Sequence, residues 1–243
     1  MIESLVEPLS TYASDLDFLV NLVAWFTGIW LVLSEGVFFW LIWKYRAKEG
    51  VRSEYITGEE AHQKRWVTWP HYAVLVCDVF IIYFAVTVWV DIKQTLPPAE
   101  ATVRIISQQW GWTFQHPGPD NKLDTKDDIR TTDELHVKVG TTYHYKLESL
   151  DVLHDFSVPV FRLKQDAIPG RVITGWFKAT GTGEHDIQCA EICGIAHGMM
   201  GGRIFIETPE EHEKWMQSQS EGMVASKIDD KALSTTVAAV GVP

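Results

Sequence analysis

Two uninterrupted apolar runs limit what this chain can fold into before any other feature is considered. Phe18–Trp43 reads FLVNLVAWFTGIWLVLSEGVFFWLIW, and Pro70–Val90 reads PHYAVLVCDVFIIYFAVTVWV. A helix of about 20 apolar residues crosses the hydrocarbon core of a bilayer, and each run reaches that length. Each carries one acidic residue, Glu35 or Asp78, amid an excess of Trp, Tyr and Phe. Buried core helices of a soluble domain do not combine such length with so few charges. The first run is also too long, and its start too acidic, for a cleaved signal peptide. The sequence therefore predicts a two-helix transmembrane hairpin.

Orientation follows from the basic residues. The connecting stretch carries Lys44, Arg46, Lys48, Arg52, Lys64 and Arg65, whereas residues 1–17 contain no Lys or Arg. The positive-inside rule places the connection in the cytoplasm and both chain ends outside. The division expected is an extracytoplasmic N-terminus (1–16), a first transmembrane helix (17–43), a cytoplasmic loop (44–66) and a second helix (67–91). An exported domain (92–207) and a C-terminal helix with a tail (208–243) follow. From Asp91 onward the chain holds 22 Asp and Glu against 15 Lys and Arg. That balance disfavours nucleic acid and anionic lipid and suits a basic partner, although solubility alone also explains it.

Beyond Pro97-Pro98 the pattern shortens. In ELHVKVG, Leu135, Val137 and Val139 share one face; in TYHYKLE, Tyr143, Tyr145 and Leu147 do the same. TVRIIS, RVITGWFKA and GRIFIE are further strand candidates. Short strands separated by Gly and Pro predict an antiparallel sandwich or barrel. From Pro209 the stretch PEEHEKWMQSQS reads as a helix packed through Trp215, and the residues past Glu221 have little to bury. His136 and His144 read most simply as surface residues of strands, and Cys77 as a small residue inside the second helix.

Two of the three cysteines fall in CAEICGIAHGMM, residues 189–200. On the exported side a disulfide between Cys189 and Cys193 is possible, but it leaves His197 and Met200 without a role. Zinc would take the thiolates and histidines, with no use for a thioether. A mononuclear copper site built from His154, Cys193, His197 and Met200 leaves Cys189 over. Two copper ions bridged by both thiolates use every donor, with the Glu191 carbonyl as the second weak ligand. Ligand counting favours the binuclear site without closing off the others.

The helical hairpin, QQWGWTF, DVLHDFSVPVFRLKQDAIPGR and CAEICGIAHGMM together resemble subunit II of the haem–copper cytochrome c oxidases that carry the copper A centre. The resemblance spans almost the whole chain. It implies a membrane protein with an all-β extracytoplasmic domain, the transmembrane hairpin being followed by a cupredoxin Greek-key β-sandwich. It implies a binuclear copper centre in which His154 and Met200 serve one ion, His197 and the Glu191 carbonyl the other, and Cys189 and Cys193 bridge both. The Glu191 side chain would reach a magnesium ion shared with subunit I, with Asp166 in the same polar network. Trp110 would receive electrons from a c-type cytochrome steered by acids such as Asp151, while Trp112 closes the core. Haem would reside only in the partner, subunit I. The setting would be a bacterial-type cytoplasmic membrane or its equivalent, in contact with lipid, with the copper domain on the periplasmic side.

The resemblance breaks in the hairpin. Where the family places a channel glutamate, this chain has AHQKRWVTWPH, with Gln63 or Lys64 near that position and Glu60 and His62 just upstream. Glu35 and Asp78 are costly at membrane depth and are candidates for an altered proton route or for contact with subunit I. Asp155-Phe156 follows His154 where many relatives have Trp. The copper loop is also compatible with the matching subunit of a nitric oxide reductase, and a copper-delivery protein is the alternative of another class. The acidic stretch His116–Asp128 lacks the spacing of an EF-hand and reads as a solvated turn-rich loop rather than a calcium site.

Overall fold

The computed structural model describes residues 5–52 and 55–221; the tail expected beyond Glu221 lies outside them. The chain forms two compact units.

The first unit is helical. Helix α1 spans Ala13–Lys44 and helix α2 spans Ala61–Trp89, continued by a π turn over Val90–Gln94. At 32 residues, α1 is about 48 Å long, more than the thickness of a hydrocarbon core. Among the described residues these helices hide almost nothing within the chain: the most apolar windows of α1 and of Ala61–Gln94 are 6% and 0% buried. Apolar surface of that extent requires lipid or another protein chain. Aromatic and basic side chains gather where the helices meet their connection. Trp40 stacks on Trp66 at 6.1 Å, and Lys44 and Arg46 lie over the Trp40 and Trp43 rings at 4.5 Å and 5.1 Å. Such residues settle at the level of lipid headgroups. Glu35 and Asp78 are both exposed on their helices. At the start of α2, His62 pairs with Glu60 at 3.1 Å, and Gln63 accepts the Gly58 N–H at 2.8 Å.

The second unit is a two-layer β-sandwich. One sheet runs in the order β3 (Ile129–Thr132), β2 (Gly111–His116), β1 (Ala101–Gln108), β5 (Thr142–Ser149), β8 (Ile173–Lys178). The other runs β4 (Glu134–Lys138), β10 (Gly201–Glu207), β9 (Gly183–Cys189), β6 (His154–Val158), β7 (Leu163–Ala167). The sequence led to an antiparallel expectation, yet β1 pairs with β5, and β4 with β10, in parallel. The chain crosses between the sheets before returning beside an earlier strand, so these pairs are not local hairpins. The alternating residues face inward: Leu135, Val137, Tyr145 and Leu147 are 0% exposed, and Tyr143 is 5% exposed. Phe156 of the second sheet stands at the centre, with ring centroids 5.4 Å from Trp112 and 6.2 Å from Phe114.

Two terminal segments complete this unit. Residues Val6–Ala13 belong to the same unit as the sandwich. The Leu9 N–H donates to the Val160 carbonyl (2.7 Å), and the Leu9 carbonyl accepts from Thr180 N–H (2.9 Å). Ser10 Oγ donates to the Phe161 carbonyl at 2.9 Å, and Tyr12 meets Trp176 edge-on at 5.1 Å. This strap covers a sheet edge that would otherwise offer unpaired backbone groups. At the other end, helix α3 (209–221) opens with a capping box. Glu211 accepts the Thr208 N–H at 2.9 Å while Thr208 Oγ1 accepts the Glu211 N–H at 3.3 Å. Its Trp215 stacks flat on His136 at 4.2 Å. His136 is therefore buried rather than a surface residue, because α3 covers the outward face of β4.

Candidate metal centre

Strand ends and one loop build the centre. His154 opens β6, Cys189 closes β9, and the loop 190–200 returns to β10 through a single 3-10 turn at His197–Met199. The loop is held shut by its own backbone: Cys189 N–H donates to the Met200 carbonyl (3.1 Å) and Ala190 N–H to the Asp155 carbonyl (3.1 Å). Gln109 Nε2 donates to the Cys193 carbonyl at 2.7 Å, tying the loop to the β1–β2 turn. Gly194 has φ +133°, and a Cβ there would lie 3.1 Å from Trp110 Cζ2, so a larger residue would push the indole off the loop.

The donors converge. The two thiols are free and lie 3.8 Å apart. His154 Nδ1 is 3.9 Å from Cys189 Sγ, and His197 Nδ1 is 3.5 Å from Cys193 Sγ. Met200 Sδ is 3.8 Å from Cys193 Sγ, and the Glu191 carbonyl oxygen is 3.3 Å from Cys189 Sγ. His154, Cys193 and Met200 are at most 3% exposed, whereas the neighbouring Met199 is 83% exposed. Among the described residues, His154, Cys189 and Cys193 form the one group of metal-capable side chains whose donor atoms lie within 4.8 Å of one another. Sulfurs 3.8 Å apart suit bonds of about 2.3 Å to a shared soft metal in near-tetrahedral geometry. The residues thus fit a thiolate-bridged copper centre, and the inward thioether fits copper better than zinc.

Burial, then the hydrogen bond and charge of Cys189, push the Cys193 thiol up to about 11, so metal must displace a proton to bind there. His154 Nε2 faces Asp151 Oδ1 at 2.8 Å, while the Gln109 N–H donates to Asp151 Oδ2 at 2.7 Å. Burial pushes Asp151 up, but bonds from His154 and from the Gln109 and Val152 amides outweigh it and hold the carboxyl below its ordinary range. With Nε2–H donated to that carboxylate, Nδ1 keeps its lone pair for a metal. Asp151 was expected only to attract a partner, and its contact with His154 is a finding of the structure. Replacing it by asparagine is expected to weaken copper binding about 10- to 100-fold with little change in fold. Competition against a copper chelator checks this, and an unchanged affinity would remove Asp151 from the centre.

Carboxylates gather beside the thiols. Asp155 bonds Asp166 and feels the charge of Glu191; burial first, then Asp166, push Asp155 up to about 6. Asp155 went unrecognised in the sequence, where it read only as a packing change. Trp110 is 41% exposed over the loop, while Trp112 is fully buried. His144 Nε2 bonds the Pro97 carbonyl at 2.7 Å, and His185 stays outside the donor set. In the acidic loop, Asp128 Oδ2 accepts the Asp124 N–H (2.7 Å) and Arg104 takes Asp124 in a two-bond fork (2.5 and 2.9 Å). Those carboxylates are engaged in shaping their own loop.

The chain is similar to several known proteins. The family model "Cytochrome C oxidase subunit II, periplasmic domain" matches residues 101–208. The "Alternative cytochrome c oxidase subunit 2" of Bradyrhizobium diazoefficiens is 31% identical over 237 residues, covering 87% of this chain and 83% of that one. The "Cytochrome c oxidase subunit 2" of Thermostichus vulcanus is 40% identical over 125 residues, covering 51% of this chain and 35% of that one. Among solved structures, the periplasmic domain of subunit II of cytochrome oxidase from Bradyrhizobium japonicum is similar at 28% identity and a TM-score of 0.47. It covers 53% of this chain and 99% of that one.

Proposed function

The chain belongs to the cytochrome c oxidase subunit II family, and from that membership we propose that it is the electron-input subunit of a haem–copper terminal oxidase. It takes single electrons from a c-type cytochrome at a binuclear copper A centre and passes them to haem in subunit I for the reduction of oxygen. As a family member it is a membrane-anchored part of an oxidoreductase complex. The observation that carries the finer reading is the convergence of two thiols, two imidazoles, one thioether and one carbonyl, from the start of β6, the end of β9 and the loop after it, at 3.3–3.9 Å.

His154, Cys189, Glu191 through its carbonyl, Cys193, His197 and Met200 would hold the copper, whose chemistry is one-electron transfer with the charge shared across two ions. The protein's part is constraint. Strands β6 and β9 fix His154 and Cys189, Met200 directly precedes β10, and the loop between β9 and β10 is hydrogen-bonded at both ends. A loop so held changes shape little between redox states. Trp110 presents an exposed ring against Gly194, next in sequence to Cys193, and so offers a short route from a docked haem edge. The Glu191 carboxylate with Asp166, and now Asp155, supplies hard oxygen donors suited to a magnesium ion shared with subunit I. The basic connection between the helices supports a cytoplasmic loop and a β-domain on the outer side. Glu35 and Asp78, exposed on their helices, are placed to contact subunit I or a proton route, since a lone carboxylate at mid-membrane costs about 2.5–3.5 kcal/mol.

Electron paramagnetic resonance of the copper-loaded protein tests the centre. Two copper ions per chain with one unpaired electron shared over two equivalent nuclei is the expected result. A single-nucleus pattern with one copper would overturn the binuclear reading. The assembled complex, given reduced cytochrome c, is expected to consume oxygen in strong preference to nitric oxide.

A further inference from the structure

A second gathering of titratable groups lies under α3. His116 ends β2, His136 sits within β4, Glu207 ends β10, and His212 lies in the first turn of α3. The His136 ring is sandwiched, 4.6 Å from Phe205 and 4.2 Å from Trp215, each pair within 10° of parallel. Trp215 also meets His116 edge-on at 5.0 Å. Glu207 lies 2.8 Å from His136 Nδ1 through one carboxylate oxygen and 2.9 Å from His212 Nδ1 through the other. His116 is 3% exposed, and its Nε2 has no hydrogen-bond partner among the described residues.

Other charges face this cluster: Glu100, Lys138 and Glu213 line the same cavity as His116 and His212. Glu134, largely exposed on β4, lies 3.9 Å from His136 Nε2. Lys138 of β4 repels a charged His212, Glu211 of α3 acts on Glu207, and the Tyr143 hydroxyl of β5 feels Glu207. Two imidazoles therefore share one part-buried carboxylate, while the third, His116, meets Trp215 edge-on. Glu207 can compensate the protonation of one neighbour, but not of all three beneath a single tryptophan. We propose that the cluster is an acid-released latch, which holds α3 on the sandwich while its imidazoles are neutral and frees it as they become charged.

His116 dominates the response because it is the most deeply buried of the three and its Nε2 bonds nothing among the described residues. Burial, then repulsion from His136 and His212, hold it at about 3 against an ordinary 6.5. Burial also lowers His136 and His212, against the pull of Glu134 and of Glu207 respectively. A histidine depressed in the docked state favours docking fully above its ordinary value, and that preference is lost as pH falls from about 6.5 towards the docked value. Glu207, raised mainly by burial, has the opposite sign and favours docking towards the acid end of the range. The drop is therefore best read between about pH 7.5 and 5.5, where His116 alone accounts for roughly a tenfold change in the docking equilibrium.

The test is amide hydrogen exchange of residues 209–221 in the detergent-solubilised full chain, taken relative to β10 at each pH so that intrinsic rates cancel. Relative protection of α3 is expected to fall about tenfold from pH 7.5 to 5.5 in the native sequence. His116→Phe keeps a ring against Trp215 and cannot charge, so its drop is expected to be clearly smaller than the native one, with His136 and His212 accounting for what remains. A flat profile in the native protein, or a native-like drop in His116→Phe, would overturn the latch. If His116→Phe fails to dock at pH 7.5, His116→Gln, smaller and equally uncharged, is judged by the same criterion.

Discussion

Replacing Cys193 by serine is expected to leave the protein folded but with at most one copper per chain, and to lower oxygen turnover of the assembled complex by at least about 100-fold. Cys193 Sγ is the hub of the centre, within 3.5–3.8 Å of His197, Met200 and Cys189. A serine hydroxyl is close in size, but it does not ionise near neutral pH and is a hard donor, so it cannot bridge two soft metal ions. One ion would keep His154, Cys189 and Met200, and the other only His197, Cys189 and the Glu191 carbonyl, each short of its second thiolate. Copper analysis, the thiolate-to-copper absorption and turnover with reduced cytochrome c measure the effect together. Retention of two coppers, or turnover within tenfold of the native complex, would remove Cys193 from its bridging role. Met199→Leu is the control: its side chain is 83% exposed, and near-native values are expected.

What could be read from the sequence divides along physical lines. The hairpin was legible because a membrane crossing demands a fixed length of apolar residues, and nothing else in the chain meets it. The thiol loop was legible because five of its six donors, at 189, 191, 193, 197 and 200, lie within twelve residues, so that spacing itself carries geometry. His154 comes from another strand, so no local spacing ties it to the loop, and the bond to it from its neighbour Asp151 is added by the structure. The contacts least visible were those closed over long sequence separations. The strap VEPLSTYA has no alternation to mark it as edge cover, and its partners lie about 150 residues away, at Val160 and Phe161. His136 falls on the outward face of β4 by the two-residue period, and that rule holds. What makes the outward face buried is Trp215, from a helix whose docking no local pattern announces. Asp155 reads as a substitution for packing, because its partners Asp166 and Glu191 come from a neighbouring strand and from the loop after β9.

Trp112→Ala is expected to destabilise the β-domain by about 3–5 kcal/mol, the range found when a large aromatic is removed from a core and the cavity only partly collapses. The indole is fully buried, and it packs at 5.4 Å against Phe156 and 6.3 Å against His154. Its Nε1 has no hydrogen-bond partner among the described residues, so the loss is one of packing rather than of polar contacts. Phe156 in turn contacts Phe114 at 6.2 Å and Tyr145 at 6.5 Å, so the two sheets lose their shared centre together. Urea unfolding of this domain in the metal-free full chain measures the effect, and a loss under about 1 kcal/mol would mean that the ring is not part of the supporting core. The same substitution removes one wall of the His154 ring, so copper affinity is expected to fall along with stability. Asp151→Asn is expected to lower affinity alone. The pair therefore separates two ways in which the sandwich serves its metal: Asp151 fixes which nitrogen of His154 faces inward, and Trp112 fixes where the ring stands.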